Sequence, residues 1–192
     1  MLPVGILIAA AGHGLRYRTA GGIGLKLEHL LDNGVTVFQQ TLLNASRSGL
    51  PIHVVTRSSY TSIHQICRTF HVTFSCADTD GLGETIAAGV NTCRGWKGWL
   101  VQLADMPFVS HAIYQQVALA LDQHVTVRPV YRHQPGHPVG FSAQAIDVLL
   151  QLRGVCGAKE VLRRYPPLLI DVNDSGVITD IDLPPKPDAQ VI

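Results

Sequence analysis

Four short groups of residues in this chain have types and spacings suited to chemistry on phosphates. The first is Gly12-His13-Gly14 followed by Arg16, which comes directly after the apolar run Val4–Ala11. Small residues let a ligand lie against bare backbone, and glycines allow a tight turn whose N–H groups point one way. Arg16 adds a fixed cation with a planar fork of donors, and Lys26 a second cation. Next is Asp105, in Asp105-Met106-Pro107 after the apolar run Gly98–Ala104. A carboxylate at the end of a buried strand is costly unless it meets a cation or caps a turn. The third is the turn Gly136-His137-Pro138, and the fourth is Asp180-Ile181-Asp182. Cations, hard oxygen ligands and glycine turns are together the equipment for a metal-bound nucleotide phosphate.

The elements that must carry these groups alternate between two periods. Residues 4–10, 51–56, 71–76, 98–104 and 125–131 read as apolar strands, with an extended piece at 138–141. Residues 36–48, 59–69, a segment opening near Gly83, Ser110–Leu121 and Ala143–Leu150 read as helices, with Ser110 and Ser142 as N-caps. Leu168–Val172 and Val177–Ile181 read as β-like around an Asn173-Asp174-Ser175-Gly176 turn. Regular β–α alternation predicts an α/β fold, a three-layer α/β/α sandwich with a Rossmann-like core and a mostly parallel sheet. Ligands of such a sheet bind beyond the carboxyl ends of the strands, where all four groups fall.

Composition narrows the function classes. The chain has 192 residues with 46% hydrophobic side chains, the size of a single domain over residues 1–192 with a substantial core. A formal net charge of +1 predicts no nucleic-acid footprint and no membrane-surface footprint, so an anionic ligand is met by a few placed cations. Cys67, Cys76, Cys93 and Cys156 lack zinc spacing and read as free thiols of a reducing compartment. The opening Met1-Leu2-Pro3 has no basic leader, which predicts a soluble cytoplasmic protein. The proline-rich stretch Leu183–Pro187 is expected to leave the fold.

In their order along the chain, Ala9-Ala10-Ala11-Gly12, Arg16, Lys26, Leu103-Ala104-Asp105-Met106-Pro107, Pro135-Gly136-His137-Pro138 and Asp180-Ile181-Asp182-Leu183-Pro184 resemble the motifs of MobA-like nucleotidyltransferases. The Gly-His-Pro turn and the Asp-Met-Pro step are most similar to molybdenum cofactor cytidylyltransferase. The resemblance implies transfer of a nucleotidyl group from an NTP, CTP or GTP, to a phosphorylated acceptor such as molybdopterin. It implies Mg²⁺ held by Asp105 and Asp182, with Arg16 and Lys26 on the phosphates. It implies nucleotide contacts from Ala10, Ala11, Gly12, His13, Gly14, Gly81, Gly83 and Thr85, and acceptor contacts from Gly136 and His137. It extends to a molybdoenzyme or chaperone as protein partner.

Two readings stay open beside it. One is a guanylyl- or sugar-phosphate nucleotidyltransferase. The other is a nucleotide-binding homologue without turnover. The second is raised by two departures from the family pattern. The gap from Arg16 to Lys26 is stretched by Thr19-Ala20-Gly21-Gly22-Ile23-Gly24, which would keep Lys26 from the phosphates and leave Arg18 as a substitute. In Leu152-Arg153-Gly154-Val155-Cys156-Gly157-Ala158-Lys159, Val155 stands where the family often has an acid.

Overall fold

A computed structural model describes residues 3–182. The proline-rich stretch expected to leave the fold lies outside them. Along the chain run β1 (Val4–Ala10), α1 (Leu15–Thr19), α2 (Val37–Ser46), β2 (Ile52–Thr56), α3 (Thr61–Thr69), β3 (Thr73–Cys76), α4 (Leu82–Thr92), β4 (Gly98–Leu103) and α5 (His111–Ala120). Then follow β5 (Thr126–Tyr131), β6 (Gln134–Pro135), β7 (Val139–Ser142), α6 (Ile146–Leu150), α7 (Lys159–Arg164) and β8 (Leu168–Asp171). Short 3-10 turns cover Lys26–Glu28, Ala143–Ala145 and Ser175–Ile178.

The strands form one eight-stranded sheet in the order β3-β2-β1-β4-β7-β5-β6, with β8 also on β5. From β3 to β4 every pairing is parallel, which sets the carboxyl ends of β1, β2 and β4 side by side. Beyond β4 the sheet turns antiparallel, at β4/β7, β7/β5 and β5/β6. Residues of β1 and β4 alternate between two apolar layers, because strand side chains point to opposite faces. Ile6, Ile8 and Leu100 pack with Phe38 and Leu42 of α2 and Ile113 and Val117 of α5. Leu7, Trp99 and Val101 pack with Ile86 and Val90 of α4 and Leu149 of α6. This is the three-layer α/β/α arrangement that the alternating pattern predicts.

Local chemistry sets the helix starts. Thr36 opens α2 with a capping box: its hydroxyl accepts from Gln39 N (3.2 Å), and Gln39 Oε1 accepts from Thr36 N (3.1 Å). The expected caps at Ser110 and Ser142 are not made, and neither hydroxyl bonds the helix it precedes. Instead Ser110 N donates to Asp174 Oδ2 at 3.1 Å, so a remote carboxylate satisfies the start of α5.

One element differs from its expected form. Val177–Ile181 reads as β-like, but Ser175–Ile178 is a 3-10 turn. Asp174 Oδ1 accepts from Gly176 N at 2.8 Å and closes the turn locally. Gly176 then sits where a Cβ would lie 2.1 Å from the Phe108 carbonyl oxygen, a closeness no strand side chain tolerates.

Helix α4 lies close on the sheet because Gly89 has no side chain. A Cβ there would fall 2.3 Å from Leu7 Cδ1 and 2.8 Å from Val55 Cγ2. Gly89→Val should therefore overpack this layer and destabilise the fold by about 1–3 kcal/mol. The urea midpoint should fall with the slope unchanged, and an unaltered midpoint would show that the layer has room to spare.

Candidate active site

The loop after β1 is held from behind. Arg57 Nη1 donates to the Ala11 carbonyl (3.2 Å) and to the Thr79 carbonyl (2.7 Å). Tyr60 Oη donates to the Gly12 carbonyl (2.9 Å), and Arg18 Nη2 to the His13 carbonyl (3.1 Å). Three successive carbonyls are thus tied to side chains. The N–H groups of Gly12, His13 and Gly14 bond no described backbone carbonyl. Gly14 takes φ +61°, the left-handed conformation that suits glycine. The loop is a cradle of free donors suited to an anion.

A cavity of about 280 Å³ opens against this cradle. Ala10, Ala11, Gly12, His13, Gly14, Lys26, Gly81, Thr85 and Asp105 all line it, so most of the residues that the sequence nominates do meet in one place. Asp105 is fixed through its own turn. Thr41 Oγ1 donates to the Ala104 carbonyl (3.0 Å) and Asn44 Nδ2 to the Pro107 carbonyl (2.9 Å), both from α2.

The stretched segment after Arg16 does not carry Lys26 away. Tyr17 is buried, and its ring lies on Gly22, where a Cβ would come 2.2 Å from the ring. The Tyr17 hydroxyl also meets His29 Nδ1 at 3.3 Å. The extra residues fold back over Tyr17 as a closed lap, with Gly21 and Gly24 at positive φ, and the chain re-enters the site at Lys26. Lys26 Nζ lies 2.5 Å from Asp105 Oδ2 and 3.1 Å from Asp182 Oδ1. Its side chain is 12% exposed. Burial works against its charge, but Asp105 and then Asp182 outweigh that, and its pKa is raised. The expectation that Lys26 falls short is corrected, and Arg18 is not its substitute: it braces the loop. Arg16 is 84% exposed and reaches Asp182 Oδ2 at 3.1 Å, at a shallow side pocket shared with Lys26.

Asp105, Asp180 and Asp182 each offer a carboxylate oxygen within 4.8 Å of the others. Neither Asp180 nor Asp182 lies on a strand, although Val177–Ile181 reads as β-like from its composition. The pair is brought in by Ile181 N, which donates to the Asp105 carbonyl at 2.9 Å. Burial, and then Asp182 and Asp105, push the Asp180 carboxyl up. Burial opposes the charge on Asp182 too, but Lys26 and Arg16 hold its pKa below the usual range.

Gly136 and His137 do not line this cavity. A Cβ on Gly136 would lie 2.4 Å from the Val177 carbonyl oxygen, and His137 N donates to that oxygen at 2.8 Å. They hold the segment that delivers Asp180 and Asp182. Gly81 and Gly83 line or border the cavity for a related reason. A Cβ at Gly81 would meet Gly154 O at 2.1 Å, and one at Gly83 would meet Arg153 O at 2.8 Å. The Thr85 hydroxyl is engaged with Thr79 Oγ1 (2.6 Å) and the Gly81 carbonyl (3.0 Å). Arg57 and Tyr60 escaped the sequence reading, although Arg57 directly follows β2 and obeys the same strand-end rule.

Burial pushes the His137 pKa down to about 4 from 6.5. The unfolded chain therefore takes up a proton first. The stability that neutral His137 contributes is complete above about pH 6.5 and is lost as pH falls toward about 4. Urea unfolding of wild type and His137→Gln at about pH 7 and about pH 4.5 should show the larger acid loss in wild type. Equal losses would place the ring in water.

The sequence matches the model of the MobA-like NTP transferase domain over residues 6–168. No curated protein matches it. Among solved structures, Rv0371c of Mycobacterium tuberculosis H37Rv superposes with TM-score 0.78 at 18% identity, over 89% of this chain and 88% of that one. A second Rv0371c structure, a manganese complex, gives TM-score 0.74 at 18% identity over 88% of each chain. The Methanothermobacter nucleotidyl transferase Mth528 gives 0.76 at 20% identity, over 94% and 92%. Molybdopterin-guanine dinucleotide biosynthesis protein A of Archaeoglobus fulgidus gives 0.71 at 18%, over 94% and 93%. These likenesses establish the α/β nucleotidyltransferase fold. With the family model covering most of the chain, this protein belongs to the MobA-like NTP transferase domain family of nucleotidyltransferases.

Proposed function

We propose that the chain moves a nucleoside monophosphate from an NTP, CTP by preference, to the phosphate of a small acceptor of the molybdopterin class. The observation that carries this is the meeting of Lys26 and Asp105 with a cradle of free N–H groups on one cavity, with Asp180 and Asp182 completing a carboxylate cluster beside Asp105. The triphosphate would lie on Gly12–Gly14 with Lys26 beside it. The nucleoside would extend toward Gly81–Thr85, and the acceptor phosphate toward Arg16 in the adjoining side pocket.

Carboxylate oxygens are hard donors, and three within 4.8 Å fit a divalent cation, Mg²⁺ above all. Asp105, Asp180 and Asp182 would hold it, and when bound it would neutralise charge on the phosphates. The acceptor phosphate oxygen forms a bond to the α-phosphorus, and the bond to the β-phosphate oxygen breaks, releasing pyrophosphate. A phosphate monoester is already ionised at neutral pH, so no strong general base is needed. Lys26 and the loop N–H groups act by position and charge.

Cytosine as the base rests on the resemblance of Gly136-His137-Pro138 to molybdenum cofactor cytidylyltransferase. The Archaeoglobus likeness favours guanine as the second reading. The reading without turnover loses its first support, because Lys26 is in place.

Asp105→Asn should abolish pyrophosphate release from NTP, Mg²⁺ and a molybdopterin acceptor while the protein stays folded; near-native turnover would remove Asp105 from the site. Because Lys26 is enclosed and Arg16 is exposed, Lys26→Ala should cost more turnover than Arg16→Ala, itself expected to cost at least about tenfold. The reverse order would put the exposed arginine at the reacting phosphates. In a thermal-shift series with Mg²⁺, CTP should stabilise the protein more than GTP or ATP. A GTP preference would move the protein to the guanylyl branch.

A further inference from the structure

The loop Arg153–Cys156 belongs to no strand or helix, yet it is fastened to the start of α4. Gly83 N donates to the Gly154 carbonyl at 2.9 Å. Gly154 N donates to Glu84 Oε1 at 3.3 Å, while the other oxygen of that carboxylate accepts from Asp80 N at 3.1 Å. One half-buried carboxylate therefore ties together two loops that border the cavity. Glycine is required at the crossing, since a side chain on Gly81 or Gly83 would collide with the backbone of the strapped loop.

At the tip of this loop, Val155 lines the cavity and is 79% exposed. A large apolar side chain open to water on the wall of a cavity gains free energy when a ligand covers it. Of the charged lining groups, Lys26 and Asp105 pair with each other, and Lys26 packs beside Gly14 of the β1 loop. Gly81 instead lies against the backbone of Gly154 and Val155, and its neighbours Thr79, Leu82 and Thr85 in the lining are uncharged. Asp80, also in the lining, has a side chain 95% exposed, 3.8 Å from His13.

We propose that Val155 is the apolar contact for the face of the nucleotide base, and that Glu84 is the positioning residue that holds it there. The proposal rests on the nucleotidyl-transfer reading, which puts the triphosphate at the Lys26 end. Val155 then covers one face of the ring opposite the small residues of the β1 loop. The base edge is left to the backbone of residues 79–82. Glu84 touches no ligand and acts only through the loop.

Calorimetric titration with Mg·CTP and Mg·GTP, together with hydrogen exchange of the nucleotide-free protein, tests this. Val155→Ser should weaken binding of the preferred nucleotide about tenfold, the size expected for losing a buried valine contact. Its KM should rise by more than its kcat falls. Val155→Leu should bind more tightly than Val155→Ser. Glu84→Ala should speed amide exchange across residues 153–156 before any nucleotide is added and weaken binding in the same direction. Glu84→Gln keeps an oxygen acceptor for one of the two N–H groups and should lie between Glu84→Ala and wild type. Unchanged exchange in Glu84→Ala, or wild-type affinity in Val155→Ser, overturns the inference and leaves the nucleotidyl-transfer reading standing. Failure of wild type to bind either nucleotide overturns both.

Discussion

The ammonium of Lys26 among three carboxylates is the interaction on which the rest of the molecule depends. Asp105 ends the central strand β4, and Asp180 and Asp182 come from far later in the chain. Packed this closely, three negative charges repel one another, and each loses hydration. The raised Asp180 carboxyl records that cost, and the depressed Asp182 carboxyl records what Lys26 and Arg16 return. The lysine is the resident counter-charge. It also lines the cavity beside the β1 loop, so the group that balances the carboxylates is also open to that cavity.

Bringing those carboxylates together occupies much of the structure. Helix α2 grips the Asp105 turn through Thr41 and Asn44. The segment 174–182 is fixed at three places: Asp174 on Ser110, Val177 on Gly136 and His137, and Ile181 on Asp105. Backbone and short polar bonds make these contacts while Val177 is buried in the core beside them, and glycine leaves room where chains cross, at Gly136 and Gly176. The Gly-His-Pro turn is therefore a bracket for the carboxylates.

Much of this was legible in the sequence, because strands and helices announce themselves by period and ligand loops by their place after strands. The β1 loop, Asp105 and Lys26 follow from that rule, Gly81 and Thr85 from the family resemblance, and they line one cavity. What stayed hidden depends on contacts between distant residues. The stretch after Arg16 looks like slack until Tyr17 is seen lying on Gly22. Val177–Ile181 has strand composition, but the Asp174 cap and the Phe108 carbonyl dictate a 3-10 turn. Ser110 looks like a cap, yet its N–H is claimed by Asp174, 64 residues away. The antiparallel pairings beyond β4 also stayed hidden, because β7 is only four mostly buried residues, which read like a short parallel strand, and β6 is two residues long.

The order of these residues along the chain has a consequence for how the molecule comes into being. A polypeptide leaves the ribosome from its N-terminus, and structure forms as it emerges. The β1 loop, Lys26 and Asp105 emerge well before residues 174–182. Asp180 and Asp182 can join them only once that later segment settles against Ser110, Gly136 and His137. The carboxylate cluster thus closes across a long stretch of chain, and any change that loosens the 174–182 segment reaches Lys26 and Asp105 without touching either.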